Sequence, residues 1–287
     1  MLAPDTQAAV EAKLSGESLP VLPANTTRLL RNLTDEEIDN ASLTRTIELF
    51  PSISARLVAL ANSAWSSPVD EITSLERACA RLGLAVVKST SLAMAIASPF
   101  DKNKCPEFDT ARFWTRAFLT AELATHLYQF MPEMLRHDLS TLRTAGLIHN
   151  LGLLLLADKF PDIVGHAIRE KEAGEFETLQ DALLSRLGFD YTHAGHYLAI
   201  SWSLPPVLGK VLVSYPESDF NGLYWEEVNA IGVANSIAYD IQHQQQRTLD
   251  DERLLKLGIS IDNIQQLYAR FELEKEKMEK LVSELFS

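Results

Sequence analysis

Residues 144–153 give the clearest indication of a chemically active site in this chain, because His149 and Asn150 are adjacent inside a long apolar run. An imidazole beside a carboxylate can hold divalent metal ions, and the carboxylate can bridge two cations. Asn150 offers a neutral amide instead, and an amide is a poor ligand for a hard divalent ion. The pair therefore predicts a buried polar site with one good metal ligand and an incomplete set.

Two other histidine motifs point less clearly to chemistry. His137 and Asp138 lie in a polar segment, and we interpret Asp138 as the N-cap of the next helix, with a metal site as the alternative. His193 and His196 share one helical face, a spacing that can serve a metal, but only Asp190 is an acidic neighbour. We favour a structural role for both motifs.

Composition narrows the class of protein. The chain has 287 residues, 46% of them hydrophobic, so it can bury a sizeable core. The net charge of −13 argues against nucleic acid and anionic membranes as partners, since both attract basic proteins. Cys79 and Cys105 are expected to stay reduced, and no apolar run approaches the roughly 20 residues of a membrane-spanning helix. We expect a cytoplasmic protein without a cofactor.

Helical periodicity dominates and alternating strand patterns are not evident, so we predict an all-α protein. Residues 142–157 are apolar nearly all round, which predicts a buried central helix. A proline-containing stretch at 98–106 and a polar tract at 242–247 suggest an N-terminal lobe (1–105), a second lobe (106–247) and a C-terminal helical tail (248–287). We predict that the tail docks on the body, with homodimerisation as the alternative.

Several segments, in order along the chain, are similar to the motifs of one bacterial family. They are Leu19-Pro20-Val21-Leu22-Pro23, residues 60–65 with Asn62 and Ser63, residues 72–83 ending in Gly83, Phe113-Trp114, residues 145–152 ending in Gly152, residues 187–190, Ala194-Gly195 and Trp202-Ser203-Leu204-Pro205. Together they resemble the HDOD family, a group related to the HD phosphohydrolases, over about residues 19 to 240.

The resemblance implies a two-lobed α-helical domain whose second lobe is built like an HD hydrolase. It also implies where metal ligands would lie, and those positions hold Arg116, His149, Asn150, Tyr191, Ser214, Tyr215 and Asn235. Of these, only His149 is a good ligand, and Arg116 adds a fixed positive charge where a cation would lie. The implied site is therefore degenerate and holds no catalytic metal.

Three residue roles stay open at this point. Arg116, on an apolar helical face, must pair with an acidic residue or bind an anion such as phosphate. His149 is either a core histidine bonded to a backbone carbonyl or to Asn150, or a residue that contacts a ligand. Asn62 and Ser63 either cap a helix end or contact a partner.

For function, the resemblance implies a non-enzymatic signal-transduction or regulatory protein that acts by protein–protein interaction. No receiver or output domain fits into the remaining residues, so we expect a freestanding adaptor of a signalling protein, with a homodimer also compatible. One alternative is a metal-dependent phosphohydrolase or phosphodiesterase, which His149 supports. The other is a nucleotide or anion sensor that uses the vacated pocket, where Arg116 supplies the charge.

Overall fold

The computed structural model describes residues 4–21, 37–63, 70–101, 103–245 and 252–286, together with Leu29, Asn32 and Ser66. The motif residues Leu22, Pro23, Ala64 and Trp65 lie outside the described residues, as does the end of the polar tract at 246–247. All regular structure in the described residues is helical, which confirms the predicted all-α class.

The helices follow one another through short connections. Those before residue 100 are α1 (Pro4–Leu14), α2 (Asn40–Ile47), α3 (Pro51–Asn62), α4 (Leu75–Leu82) and α5 (Leu84–Ala97). Those after it are α6 (Thr110–Phe130), α7 (Leu139–Ile148), α8 (Leu151–Lys159), α9 (Pro161–Glu172), α10 (Leu179–Leu187), α11 (Tyr191–Ser201), α12 (Pro206–Ser214), α13 (Trp225–His243), α14 (Glu252–Leu257) and α15 (Ile261–Phe286). A 3-10 turn, Glu133–Leu135, lies between α6 and α7.

The long helix α6 lies at the centre of the packing. It contacts α7, α13 and α15, and its side chains Trp114, Phe118 and Leu123 are buried. Helix α7 also packs on α12 and α13, while α8 packs on α11. This arrangement brings α6, α11, α12 and α13 together around the junction between α7 and α8.

The prediction of a central helix over residues 142–157 is wrong in one respect, because the run forms two helices. Helix α7 ends at Ile148, α8 begins at Leu151, and His149 and Asn150 lie between them. Asn150 has φ −101° and ψ 17°, outside the α-helical region. Apolar residues on both sides of the break are buried, so the apolar pattern continues across it and does not reveal it.

The tail packs on the body rather than standing away from it. Helix α15 contacts α6, α13 and α3, and it buries Leu267, Phe271 and Leu285. The Phe286 ring stacks on the buried Trp114 ring with centroids 4.6 Å apart. The structure therefore shows docking of the tail, whereas the limits of the three parts at residues 105 and 247 and the homodimer stay predictions.

One described segment, 139–159, is long and apolar enough to cross a membrane, and 67% of its window is buried inside the fold. The bent pair α4 and α5 passes the same test only when the two helices are counted together. A core helix of a soluble protein meets these criteria equally well, so the finding is weak support for a membrane span.

Candidate functional site at the junction of α7 and α8

His149 forms the centre of a polar cluster at the helix break. Its side chain is buried, with 1% of its surface exposed. Its Nδ1 lies 2.7 Å from the Gly146 carbonyl oxygen, and its Nε2 lies 3.0 Å from the Asn235 side-chain amide. Burial lowers the pKa of His149 to about 4, and repulsion from Arg116 acts in the same direction. The imidazole is therefore neutral at pH 7.

Both ring nitrogens of His149 face oxygen atoms. The Nδ1 faces the Gly146 carbonyl oxygen, which can only accept a hydrogen bond. The Nε2 faces the Asn235 Oδ1, which the Arg116 Nη1 also approaches at 3.5 Å. Both ring nitrogens of His149 are thus engaged within the protein.

Two tyrosines occupy the other side of the junction. The Tyr215 hydroxyl donates to the Asn150 Oδ1 at 2.7 Å and lies 3.3 Å from the Tyr191 hydroxyl. The Tyr215 ring meets the His149 ring edge to face at 5.1 Å. Burial raises the pKa of Tyr191 to about 12 and that of Tyr215 well above its ordinary value. Both phenols therefore stay protonated and neutral.

Arg116 reaches the same cluster from α6. Its Nε donates to the Gln242 Oε1 at 2.8 Å, its Nη1 lies 3.5 Å from the Asn235 amide, and its Cζ lies 4.6 Å from the Tyr239 ring centroid. Burial lowers the pKa of the guanidinium, although the group stays charged at neutral pH. Within the described residues the contacts of the Arg116 side chain are with neutral groups, and its two predicted roles, an acidic pair or an anion site, stay predictions.

The structure thus brings together six of the seven residues expected at this site and leaves one apart. Ser214 is buried at the end of α12, and in the described part of the chain no side-chain hydrogen bond joins it to the cluster. It does not act with the others because its neighbour Tyr215, the C-cap residue of α12, supplies the hydroxyl there.

The other histidine motifs have local roles. The Asp138 side chain caps α7, where it accepts from the Ser140 backbone N–H at 2.9 Å. His193 forms a capping box with Asp190 at the start of α11, and His196 donates from Nδ1 to the Gly209 carbonyl oxygen at 2.8 Å. The described residues contain no group of three His, Cys, Asp or Glu side chains placed to hold a metal ion.

Four residues around Arg116 were missed by reasoning from the sequence, namely Arg112, Tyr239, Gln242 and His243. Helical spacing could have found them. Arg112 precedes Arg116 by four residues on α6, and Tyr239 and Gln242 follow Asn235 by four and seven residues on α13.

The HDOD domain matches residues 19–215 of the chain. The chain belongs to the HDOD family. This confirms the resemblance that the motifs indicated. The match ends at Tyr215, so α13, which carries Asn235 and Tyr239, lies beyond it. No curated protein matches the chain.

Solved structures with the same fold have low sequence identity to this HDOD protein. A candidate signal transduction protein from Marinobacter aquaeolei VT8 has a TM-score of 0.84 at 18% identity, covering 100% of this chain and 68% of that one. An HDOD domain protein of unknown function from Geobacter sulfurreducens has a TM-score of 0.76 at 19% identity, with 98% of each chain covered. A candidate phosphohydrolase from Shewanella amazonensis SB2B has a TM-score of 0.73 at 23% identity, covering 97% and 98%. These likenesses show the fold alone.

Two glycines allow the close packing that holds the cluster in this HDOD domain. A Cβ on Gly152 would lie 1.9 Å from the Tyr191 carbonyl oxygen and 2.3 Å from the Gly195 backbone nitrogen. Real side chains cannot approach a backbone so closely, so α8 and α11 meet only with glycine at this position. Their close contact sets Tyr191 at the start of α11, where its hydroxyl lies 3.3 Å from the Tyr215 hydroxyl.

Other HDOD motif residues shape the helices before residue 100 and link the N-terminal segment to the end of α11. Ser63 caps the end of α3, and the Asn62 side chain bonds both the backbone N–H and the carbonyl of Ile72, at 2.8 and 2.7 Å. Gly83, with φ of +81°, allows a 113° turn between α4 and α5. The Trp202 Nε1 donates to the Pro20 carbonyl oxygen at 2.8 Å, which anchors the N-terminal segment to α11.

Proposed function

We propose that this HDOD protein is a non-enzymatic signal-transduction or regulatory module that acts by binding another protein. The observation that carries the proposal is the place of Arg116 in the cluster. Its guanidinium lies against the same Asn235 side chain that contacts His149, where an HD hydrolase would hold a metal ion. A fixed cation at this point opposes a second cation.

The donor set of the cluster supports the same conclusion. Catalytic metal sites use three or more imidazole or anionic ligands, and hydrolysis needs the ion to activate water. Here both nitrogens of His149 are engaged, Asn150 and Asn235 are neutral amides, and the two tyrosines are protonated. These residues do not fit a divalent metal ion.

The partner we propose is a cytoplasmic signalling protein, and we propose neither nucleic acid nor membrane as a binding surface. The net charge of −13 supports this, because phosphate backbones and anionic lipids repel an acidic protein. Signal transduction is also the description of the Marinobacter aquaeolei protein that has the same fold. A homodimer is the other assembly that the proposal allows.

The enzyme alternative has a specific test. One protein of the same fold is described as a candidate phosphohydrolase, and His149 lies in the segment where such an enzyme needs a ligand. The full chain is assayed on a panel of phosphomonoesters, phosphodiesters and cyclic nucleotides with added Mg²⁺, Mn²⁺ or Fe²⁺. We expect no turnover. Turnover that is lost with chelator and in His149→Ala would establish the hydrolase instead.

The binding role is tested by cross-linking in the native host, followed by reconstitution of any complex from purified components. We expect a stoichiometric complex with a signalling protein, and we expect it to form equally well with and without chelator. Failure to recover any reproducible complex, combined with a monomeric chain, would count against it.

A further inference from the structure

Beside the cluster, α6 and α13 place cationic and aromatic side chains in one continuous stack, which we call the cation stack. It consists of Arg116, Tyr239, His243 and Arg112. The Arg116 guanidinium lies over the Tyr239 ring at 4.6 Å, and the Tyr239 and His243 rings stack with centroids 3.8 Å apart. The Arg112 Nη2 then contacts the His243 Nε2. Arg112 is exposed, whereas Arg116 is only partly so.

The stack holds its two guanidinium groups in fixed positions. His243 donates from Nδ1 to the Tyr239 carbonyl oxygen at 2.7 Å, so its Nε2 lone pair faces Arg112. The Gln242 side chain accepts from the Arg116 Nε and donates to the Arg112 carbonyl oxygen at 2.9 Å, which links both helices. The arginines are thus ordered by neutral groups before any ligand arrives.

The stack is a concentration of positive charge in an acidic protein. Burial lowers the pKa of His243, and the charges of Arg112, Arg116 and Lys171 lower it further. Among the described residues, neither arginine side chain contacts a carboxylate. The nearby Asp109 uses its Oδ1 to accept the Arg112 backbone N–H at 2.8 Å.

The side chains of Arg112 and Arg116 both have N–H groups without a hydrogen-bond partner among the described residues. A guanidinium carries five N–H groups. Arg116 has hydrogen-bond partners for Nε and one Nη1 hydrogen, and the Arg112 side chain contacts His243 alone within the described residues. Several N–H groups of each guanidinium therefore have no hydrogen-bond partner among the described residues. Guanidinium forks match the oxygen atoms of phosphate groups closely, and two of them can neutralise a dianion.

We propose that the cation stack is a binding site for a phosphate group, with Arg112 and Arg116 as its donors. This goes beyond the proposed function and does not depend on it, because the stack is a different observation from the donor set of the cluster. It also differs from a sensor that uses a vacated pocket. His149, Tyr191 and Tyr215 already contact one another or their neighbours at the junction, so we place the phosphate at the rim of the cluster.

The test is a titration of the full chain, labelled with 15N, with inorganic phosphate against sodium chloride at matched ionic strength. We expect saturable shifts of the Arg112 and Arg116 side-chain Nε–H signals. Arg112→Gln should weaken binding about tenfold, as expected for loss of a charge-assisted fork. Arg116→Gln is the second variant, and Arg45→Gln, whose side chain is exposed and bonds Ser42, is the matched control. Shifts that do not saturate, or equal affinity in Arg112→Gln and Arg45→Gln, would overturn the site.

A second experiment determines which class of phosphorylated compound binds at the cation stack. Adenosine monophosphate and a short peptide with one phosphoserine are titrated separately, with adenosine and the unphosphorylated peptide as controls. A preference for either phosphorylated compound over inorganic phosphate supports the site and identifies its ligand class. Binding of both organic phosphates more weakly than inorganic phosphate would overturn a role in recognising phosphate esters.

Discussion

The imidazole of His149 and the guanidinium of Arg116 meet at one side chain. The Asn235 amide lies 3.0 Å from the His149 Nε2 and 3.5 Å from the Arg116 Nη1. A cation therefore stands beside the one imidazole of the cluster, and both groups are bound to neutral partners. This relationship distinguishes the cluster from a metal centre, in which anionic side chains surround a cation.

Arg116 gives the first prediction, because its charge is buried without a described carboxylate. Arg116→Met keeps most of the side-chain volume and removes the desolvated charge. We expect the free energy of unfolding to change by less than about 1 kcal/mol, or to rise, since removal of a buried ionic group is often neutral or stabilising.

The measurement is urea unfolding of Arg116→Met beside Arg143→Met. Arg143 is ion-paired with Glu122, so its loss leaves a partly buried carboxylate and should be the more damaging change. A loss above about 2 kcal/mol in Arg116→Met would contradict the prediction and would indicate an acidic partner for this guanidinium.

His149 makes the stability of the fold depend on pH. Its pKa is about 4 in the folded protein against 6.5 ordinarily, so the unfolded chain binds a proton more readily than the folded one. The contribution of His149 to the free energy of unfolding is fully present above pH 6.5 and is lost as the pH falls towards 4. The loss reaches roughly 3 kcal/mol once the pH lies below both pKa values.

Unfolding free energies from pH 7.5 to 4.5 measure this effect. His149→Gln should flatten the slope in the acid range, whereas the exposed His166→Gln should leave it unchanged. Equal slopes in the wild type and His149→Gln would show that the imidazole titrates normally in the folded state.

Gly152 gives the sharpest test of the packing. Gly152→Ala would place a methyl group 1.9 Å from a backbone oxygen, so α8 and α11 must separate. We expect destabilisation of more than about 3 kcal/mol, or failure to fold. Gly16→Ala is the control, because nothing lies within 4 Å of its added Cβ. Thermal unfolding and soluble yield compare the two, and similar melting temperatures would refute the close contact.

The tail gives a fourth prediction through Phe286, which stacks on Trp114. Phe286→Ala removes this aromatic contact from the end of α15 and exposes part of a buried indole. We expect a loss of about 1 to 3 kcal/mol in unfolding free energy. Leu273→Ala, at a position 84% exposed on the same helix, should have no measurable effect. If Phe286→Ala left the free energy of unfolding unchanged, the tail would not stay docked in solution.

Much of the fold could be predicted from the sequence, because apolar periodicity reports which helix faces are buried. It could not predict the break at His149 and Asn150, since apolar residues continue through both helices and the core surrounds them. The ordered motifs located six members of the cluster. They could not exclude Ser214, because adjacent residues at the end of a helix differ only in the direction of their side chains. Helical spacing from Asn235 points to Tyr239 and Gln242 on α13, but it does not report that they contact Arg116 on α6.

The most direct test of the central claim is the metal content of the full chain, purified without chelator and without a metal-affinity column. Elemental mass spectrometry should find iron, manganese, zinc and magnesium at background, because His149, the two amides and the protonated tyrosines do not fit a divalent ion beside Arg116. Near-stoichiometric metal that is lost in His149→Ala would contradict this account and would establish the junction of α7 and α8 as a metal centre.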